Sequence, residues 1–338
     1  SGDCRKTVVS GGTMCPSYMA TKNEKDTTRA RANILREILT RSDKDNPFAE
    51  PEIKEVMDLC LSCKGCKSEC PSNVDVAKLK AEFLQQRYHT EGIPFRTRLI
   101  ASFDKANEFA SQMPGLYNFL VSNKVTGSLF KAISGFAMER SLPKLHTTTL
   151  RDWFSKQSKD ISSGKRVLLF CDEFTNYNDT EIGITAVKLL QQLDYQVVLP
   201  KHVESGRTLL SKGLLKKARE IAIRNVELLK DQVSESTPLL GIEPSAILTF
   251  RDEYPALVPE HLKEAARFLA AITFTIEEFL AAELDQGNLA SDQFTSDERM
   301  IRLHGHCHQK ALSSVVPTKK IISLPRNLTV LFIPSGCC

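Results

Sequence analysis

Residues 60–71 read Cys-Leu-Ser-Cys-Lys-Gly-Cys-Lys-Ser-Glu-Cys-Pro and carry four closely spaced thiols. Cys60, Cys63, Cys66 and Cys70 follow the spacing C-x2-C-x2-C-x3-C with a proline behind the last cysteine, which is a known ligand run for [4Fe–4S] clusters. Two intervening residues let a tight loop direct successive sulfurs to neighbouring iron atoms. Thiolates also select iron–sulfur, zinc or Cu(I) over hard cations. Because structural zinc sites usually divide their ligands into two distant pairs, the stretch favours a [4Fe–4S] site over a zinc site.

A second Cys-Pro pair lies upstream, at Cys15 and Pro16. In two-cluster proteins of this kind the cysteine before the proline ligates the other cluster. Cys15 would therefore complete the cluster held by Cys60, Cys63 and Cys66, while Cys70 would join Cys4 on a second cluster. One cluster is fully encoded under this scheme. The second is short of ligands in this chain, and Cys4 is almost as well explained as an inert thiol.

Composition and charge narrow the class of protein. The chain has 338 residues, enough for about two domains, and 41% of them are hydrophobic. The net charge of +4 is too small to indicate nucleic acid or a membrane surface as a partner. The ten cysteines cluster in metal-ligand patterns, which suits a reducing cytoplasm. Because there is no leader and no apolar run of roughly 18 residues, we expect no transmembrane segment.

The two ends of the sequence suggest a piece of a longer polypeptide. The chain begins without Met, and it stops at Cys337 and Cys338 within what reads as a motif. We therefore expect three parts: an α-helical, ferredoxin-like iron–sulfur domain at 1–94, a helical linker at 95–160, and an α/β domain at 161–338 that is truncated at its C-terminus.

The helical parts leave two questions open. A helix predicted at 27–42 carries Arg29, Arg31 and Arg36, which either tune a nearby cluster and dock an acidic partner or form a solvated face. The predicted linker is rich in aromatic and aliphatic residues that break into short helices. These residues would pack between the domains, or they would contact a quinone or a membrane edge.

The remaining sequence alternates apolar strands with helices. Continuous apolar runs predict strands at 166–170, 196–199, 238–242, 300–303 and 328–333, with helices at 179–193, 211–229 and 262–284 between them. This order is typical of a parallel sheet covered on both faces. An internal repeat is also indicated, because Cys171 and the stretch His304-Gly-His-Cys307 each follow a strand, where open α/β sheets build their sites.

These motifs together resemble a known family. Cys307 with Cys337-Cys338 resembles the cysteine-rich CCG repeat found in heterodisulfide reductases and in iron–sulfur parts of FAD-linked dehydrogenases. More specifically, the chain resembles the C-terminal iron–sulfur half of fused FAD-linked oxidases of the D-lactate and D-2-hydroxyglutarate dehydrogenase type. The matching stretches are Cys15-Pro-Ser-Tyr18, Arg29-Ala-Arg-Ala-Asn33, Cys60 to Pro71, Ser205 to Gly213, Glu243-Pro-Ser245, Thr249-Phe-Arg-Asp-Glu-Tyr254 and His304 to Lys310.

The resemblance implies an oxidoreductase whose flavin half would precede Ser1. A D-2-hydroxyacid, such as lactate, 2-hydroxyglutarate or a glycolate-like acid, would reduce FAD in that half of the same polypeptide. FAD would then reduce the clusters, which would pass electrons to a quinone or cytochrome. The chain itself offers no Gly-rich dinucleotide loop, so no residue of the hydroxyacid reaction is assigned to it. The expected location is the cytoplasm, with peripheral attachment at the inner face of the membrane.

The CCG region remains ambiguous. The resemblance implies a further cluster held by Cys171, Cys307, Cys337 and Cys338. However, Glu204-Ser205 stands where the first double cysteine belongs, and Ala246 stands where another Cys would follow. The alternative is a degenerate repeat that only packs or binds a partner or substrate.

Polar residues of the same loops are candidate substrate or partner contacts. His304, His306 and His308 would share one face at strand period, where they would bind a metal, bind a carboxylate or move a proton. Arg207 and Arg251 are candidate carboxylate clamps, although salt bridges explain them equally well.

Two other functions compete with electron transfer. One is a non-redox module that binds a partner and is stabilised by a structural metal site. The other is chemistry of the heterodisulfide reductase type at the CCG site, which the missing first double Cys disfavours. Reversible one-electron reduction of the chain separates electron transfer from the non-redox alternative.

Overall fold

The computed structural model describes residues 2–7, 11–157, 164–334 and 336. The chain divides into two compact units. The first unit comprises Ser1–Gly92, Gly213–Lys216 and Glu277–Cys338, and the second comprises Ile93–Lys212 and Lys217–Ile276. Both units are therefore assembled from stretches that are distant in sequence.

Helices dominate the described residues. In chain order the α-helices are α1 Pro16–Thr21, α2 Thr28–Arg41, α3 Pro51–Asp58, α4 Gly65–Glu69, α5 Val76–Glu91, α6 Phe95–Ala101, α7 Phe103–Ala110, α8 Pro114–Ser122, α9 Lys124–Ser134, α10 Leu150–Ser155, α11 Glu173–Tyr177, α12 Thr180–Gln192, α13 Arg207–Ser211, α14 Leu215–Leu229, α15 Pro244–Ile247, α16 Thr249–Asp252, α17 Tyr254–Leu257, α18 Lys263–Ala271, α19 Ile276–Asp285, α20 Cys307–Leu312 and α21 Val316–Ile322. The strands are β1 Arg166–Phe170, β2 Gln196–Val198, β3 Leu239–Gly241, β4 Thr273–Thr275, β5 Arg299–Leu303 and β6 Leu328–Phe332.

The core of the first unit is built around cysteines. Helix α2 begins where the Thr27 hydroxyl accepts a hydrogen bond from the Ala30 amide, and α5 begins with the same kind of cap from Asp75. Both helices bury their inner faces against the cysteine-bearing segments. The buried core residues are Cys4, Met14, Cys15, Leu35, Ile53, Met57, Cys66, Val76 and Phe83. Because the thiols pack as core side chains, folding of this unit and metal binding are coupled.

The C-terminal part of the first unit closes over the cysteine loop. Strands β5 and β6 pair in parallel, with Ile301 opposite Val330. Helix α20, which follows β5, packs against α4. His308 of α20 is buried, and its Nε2 lies 3.1 Å from the carbonyl oxygen of Ser62 in the cysteine loop. The motif at 304–308 therefore contacts the segment that carries Cys60 to Cys70.

The second unit contains a four-stranded parallel sheet in the order β2-β1-β3-β4. The central strand β1 is apolar and buried along four of its five residues, as expected when helices cover both faces. Leu168 pairs with Leu239 of β3 and also faces Val198 of β2. Because β2 and β3 lie on opposite sides of β1, the order in which strands are added to the sheet reverses at β1. Open α/β sheets bind ligands at such a switch point.

The expected helix-rich fold with a parallel sheet is confirmed, with three differences in detail. Strands β5 and β6 form a separate two-stranded sheet instead of joining the others. The helix predicted at 262–284 is interrupted by β4, whose two threonines are β-branched and buried. The helix predicted at 211–229 begins only at Leu215, because Gly213 has a left-handed φ of 70°.

A helix that crosses a bilayer needs about 20 consecutive, predominantly apolar residues. Within the part of the chain that the structure describes, no helix is long and apolar enough to cross a membrane.

We predict that Leu168→Ala lowers the free energy of unfolding of the second unit by about 2–5 kcal/mol, because the fully buried side chain leaves a cavity in the central strand. Urea unfolding followed by fluorescence of Trp153, the single tryptophan, measures this change. The matched control is Ile182→Ala on α12, where the side chain is exposed and about 0.5 kcal/mol or less is expected. Equal losses in the two variants would contradict the assignment of β1 to the core.

Candidate metal centre

Four thiols from two separate segments line one cavity in the first unit. Cys60, Cys63 and Cys66 come from the loop before α4 and from α4 itself, and Cys15 comes from the start of α1. The cavity has about 310 Å³ of empty space and includes no carboxylate among its lining residues. Cys70 is not among them. The four sulfurs therefore form the set expected when the cysteine before the upstream proline crosses over.

The sulfurs surround a space and do not converge on a point. A single zinc ion needs its ligand sulfurs at about 2.3 Å from one centre. Among the described residues, no three His, Cys, Asp or Glu side chains are grouped closely enough to hold one metal ion. A lining in which cysteine is the only Cys, His, Asp or Glu residue, around an open space, suits a multi-iron cluster better than zinc.

Two helix N-termini direct their amides at these sulfurs. The Thr28 N–H, at the start of α2, donates to Cys15 Sγ at 3.0 Å, and the Thr28 hydroxyl lies 2.8 Å from the same sulfur. The Val76 N–H, at the start of α5, lies 3.4 Å from Cys66 Sγ. Helix N-termini carry partial positive charge, so both amides stabilise negative charge on the sulfurs.

The backbone of the cysteine segments adopts sparsely populated conformations. Cys15, Ser62 and Lys64 have positive φ values of 56°, 54° and 62°, which residues with a Cβ rarely adopt. Gly65 approaches Thr13 so closely that a Cβ would lie 2.9 Å from the Thr13 carbonyl carbon. Such strain is maintained only where the surrounding structure requires it, as at ligand sites.

Two buried cations lie beside the same cavity. Arg31 is buried, and it donates from Nε to the carbonyl of Val56 and from Nη2 to the Ser17 hydroxyl. Lys64 is also buried and pairs with Asp75 at 3.6 Å. The interpretation that the basic face of this helix is solvated is therefore wrong for Arg31. Buried cations beside thiolate ligands favour the negatively charged form of the site.

Burial affects the protonation of the thiols. It raises the pKa of the Cys66 thiol to about 11 and also raises the pKa of Cys15, since the charged form loses its hydration. Soft metals bind thiolates, so loading of this site releases protons.

A second cavity contains the other two N-terminal cysteines. Cys4 and Cys70 both line a space of about 620 Å³ next to α2, together with Met14, Arg29 and Asn33. The structure thus brings Cys4 and Cys70 together, as the sequence predicted. Two thiols are fewer than the four ligands of a cubane, so these lining residues do not by themselves complete a second site.

The described residues of the CCG region belong to two different units. Cys307 begins α20 in the first unit, whereas Cys171 follows β1 in the second unit. Cys337 and Cys338 lie outside the described residues. The strand-period argument for the three histidines is wrong, because β5 ends before His304, His306 caps α20 and His308 lies within that helix.

Cys171 lies at the edge of a polar cavity that sequence reasoning missed. Its amide donates to Nε2 of His202 at 3.1 Å, and Arg151 Nη2 donates to the same nitrogen at 2.6 Å. Burial lowers the pKa of His202 to about 3, so the ring is neutral. The space measures about 880 Å³ and is also lined by Glu173 and Glu204. Glu173 follows β1 and Glu204 follows β2. Their positions after parallel strands are the sequence feature that could have indicated this cavity.

The two candidate arginine clamps have different surroundings. Arg207 is buried and forms an ion pair with Glu253 at 3.0 Å, so its guanidinium already binds a carboxylate of this chain. Arg251 is partly buried on α16, and it lies in the same unit. Arg207 is therefore explained by a salt bridge within the chain. Arg251 remains a candidate contact for a substrate or a partner.

We predict that Cys15→Ser abolishes iron binding at the first cavity, whereas Cys70→Ser leaves about four iron atoms per chain, because Cys15 lines that cavity and Cys70 does not. Iron and acid-labile sulfide assays on anaerobically purified variants measure the difference. Cys171→Ala removes a thiol from the other unit and serves as the control. If Cys70→Ser loses the iron and Cys15→Ser keeps it, the four cysteines of residues 60–70 bind the cluster instead.

We also predict that Glu173 makes a contribution to the stability of the second unit that falls as the pH rises, opposite in sign to the contribution of His202. Burial, and then the charge of Asp172, raises the pKa of Glu173 from 4.5 to about 7. The folded state therefore keeps a proton that the unfolded state releases, and stability falls between these two pKa values by on the order of 1–3 kcal/mol.

Glu173→Gln should flatten this fall, since Gln can still bond to Ser205, whose amide and hydroxyl donate to Glu173. Urea unfolding at about pH 5 and about pH 7 measures both slopes. The prediction fails if the wild-type and variant slopes are the same.

With this geometry established, comparison with known proteins identifies the N-terminal region. Residues 1–75 match the family model of the 4Fe-4S dicluster domain. This range contains both Cys-Pro pairs and all six cysteines that line the two cavities. The expected [4Fe–4S] cofactor is thereby confirmed. No solved structure gives a significant match.

Curated relatives extend the similarity beyond this domain. The chain is 25% identical to D-2-hydroxyglutarate dehydrogenase of Escherichia coli, over 96% of this chain and 35% of the relative. The corresponding enzyme of Haemophilus influenzae is 26% identical over 73% of this chain and 28% of its own length. One subunit of the anaerobic glycerol-3-phosphate dehydrogenase of Escherichia coli is 24% identical over 79% of this chain and 67% of its own length.

The chain thus spans about a third of the length of the D-2-hydroxyglutarate dehydrogenases that it matches. The family resemblance inferred from the motifs is confirmed: this chain is an iron–sulfur protein homologous to part of the D-2-hydroxyglutarate dehydrogenases and to a subunit of anaerobic glycerol-3-phosphate dehydrogenase.

Proposed function

We propose that this chain is the electron-transfer module of an FAD-linked D-2-hydroxyacid dehydrogenase. Electrons would enter from FAD bound by another domain of the same polypeptide and would leave to a quinone or a cytochrome. One observation carries the proposal: Cys15, Cys60, Cys63 and Cys66, which come from two segments, line a single cavity without any carboxylate. When bound there, a [4Fe–4S] cluster supplies one-electron redox chemistry at a potential that the protein sets.

The residues around the cavity would set that potential. The amides of Thr28 and Val76 point at ligand sulfurs, and hydrogen bonds to sulfur stabilise the more negative, reduced state. Buried Arg31 acts in the same direction by its charge on Cys15, whereas the charge of Lys64 is paired with that of Asp75. Burial of Cys15, Cys63 and Cys66 limits the access of water to the sulfurs. Together these groups favour acceptance of an electron.

Several finer assignments belong to the same proposal. The two Cys-Pro segments would be arranged as in a ferredoxin with exchanged fourth ligands, in a domain at 1–94 followed by a linker at 95–160 and a CCG-type domain at 161–338. Cys4 and Cys70 would contribute to a second cluster completed by ligands from elsewhere. The CCG cysteines, which are Cys171, Cys307, Cys337 and Cys338, would bind a further cluster or persist in a degenerate repeat. Contacts to a substrate or partner would come from Arg251, His304, His306 and His308.

The hydroxyacid reaction itself would take place elsewhere in the polypeptide. This sequence has no Gly-rich dinucleotide-binding loop after a strand. The names of the matched relatives support a 2-hydroxyacid as the source of electrons, and the iron–sulfur ligands support a role in the transfer of those electrons. The module would lie in the cytoplasm, attached peripherally at the inner face of the membrane where a quinone acceptor is accessible.

We expect the anaerobically purified chain to contain about four iron and four sulfide and to give a reduced-cubane EPR signal after dithionite treatment. About eight of each would indicate that a second cluster is also bound. Cys60→Ser, which removes a ligand at the cavity, should lose the signal, and Cys171→Ala in the other unit should retain it.

The competing non-redox module predicts a different result. Zinc in place of iron, with no EPR signal and no reversible one-electron reduction, would overturn the electron-transfer proposal. It would leave a structural metal site as the function of the cysteine loop.

A further inference from the structure

The second unit exposes an unusually apolar pair of helices. Six large side chains of α8 and α9 are between 43% and 76% exposed. They are Leu116, Phe119, Leu120, Val125, Leu129 and Ile133, and we call them the α8–α9 face. Single exposed apolar residues are normal on protein surfaces, but a concentration of this kind on two consecutive helices marks an interaction site.

Polar contacts on the opposite side hold these helices in place. The Asn118 side chain donates to the Leu145 carbonyl at 2.7 Å and accepts from the Leu145 amide at 2.8 Å. At Gly127 a Cβ would lie 2.8 Å from the Val121 carbonyl oxygen, so the two helices approach each other closely at this point. The outward direction of the apolar side chains is therefore a property of the packed structure and not of a loose segment.

The charged residues near the face are mostly basic. No Asp or Glu occurs between residues 109 and 138, whereas Lys124 and Lys131 lie in α9. Just beyond this range, Arg140 and Lys144 add basic charge against Glu108 and Glu139. The two helices thus combine exposed aromatic and aliphatic side chains with Lys124 and Lys131, whose ammonium donates to the Met138 carbonyl at 3.0 Å, and this composition is complementary to a negatively charged apolar surface.

Two kinds of occupant would bury such a face, and the lysines distinguish them. Protein–protein interfaces are depleted in Lys and enriched in Arg, Tyr and Trp. Helices that lie in a bilayer interface carry Phe and Leu on one side and Lys or Arg on the other. In the described part of the chain no helix can span a membrane, so contact of these helices would be limited to its surface.

We propose that the α8–α9 face binds the surface of a bilayer that contains anionic lipids, with its apolar side chains inserted and Lys124 and Lys131 at the headgroups. This inference deepens the peripheral location proposed above by naming the surface and the lipid chemistry. It does not depend on the iron–sulfur site, because binding to vesicles requires no electron transfer.

The test is cosedimentation of the full chain with phosphatidylcholine vesicles that contain or lack phosphatidylglycerol. We expect binding to the anionic vesicles that weakens as salt is added. Phe119→Ser/Ile133→Ser should lower the partition coefficient at least about tenfold, because both inserted side chains are lost. Lys124→Glu/Lys131→Glu should remove the preference for anionic lipid.

Matched controls distinguish vesicle binding by this face from non-specific binding by other exposed residues. Ile182→Ser removes a side chain that is 56% exposed on α12 of the same unit, and Lys54→Glu/Lys201→Glu reverses two exposed charges elsewhere. Both controls should bind vesicles as the unmodified chain does. Iron content and the EPR signal should be unchanged in every variant, so loss of vesicle binding is distinguishable from loss of the electron-transfer site.

Two outcomes would overturn the proposal. One is the absence of binding to either kind of vesicle, or equal losses in the controls and the face variants. The other is self-association: a dimer in sedimentation velocity that Phe119→Ser/Ile133→Ser abolishes, with no vesicle binding, would show that a second copy of the chain covers this face.

Discussion

Hydrogen bonding of backbone amides to buried cysteine sulfurs is the constraint on which the first unit depends. A thiolate is stable in a core only if nearby charges and dipoles replace its hydration. Helices α2 and α5 meet this requirement at Cys15 and Cys66, because each helix begins at a residue whose amide faces a sulfur. The positions of both helices are therefore tied to the metal site, and the unit is expected to be stable only when the site is loaded.

The second unit follows a different principle. Its core is built on the apolar strand β1, which is buried between β2 and β3. Several of its polar residues line a cavity at the carboxyl end of that strand. Cys171, His202 and Arg151 are connected there by hydrogen bonds. The cavity lies where the resemblance implies a CCG cluster site, but its carboxylates and neutral histidine are hard or nitrogen donors, not a thiolate set. This unit has the geometry of an α/β ligand site without a full set of cysteines.

The sequence predicted most where a local rule applied. The spacing of the cysteines and the two Cys-Pro pairs predicted which thiols share a cavity, because ligand geometry restricts the spacing of the residues that provide it. Apolar runs predicted β1 correctly, since a buried parallel strand has no polar alternation. These inferences required knowledge of only a few neighbouring residues. Other features depend on distant contacts. The threonines of β4 become strand residues only when they pair with β3, and the burial of Arg31 is likewise decided by tertiary packing.

The contact between α20 and the cysteine loop has a consequence for biosynthesis. The loop at 60–70 is synthesised well before the helix that packs against it, because that helix begins at residue 307. Throughout the intervening translation the thiols lack their final cover and remain accessible to iron and sulfide delivery. Synthesis of α20 then covers the loop, so the order of synthesis itself provides a period for cofactor insertion before the site is enclosed.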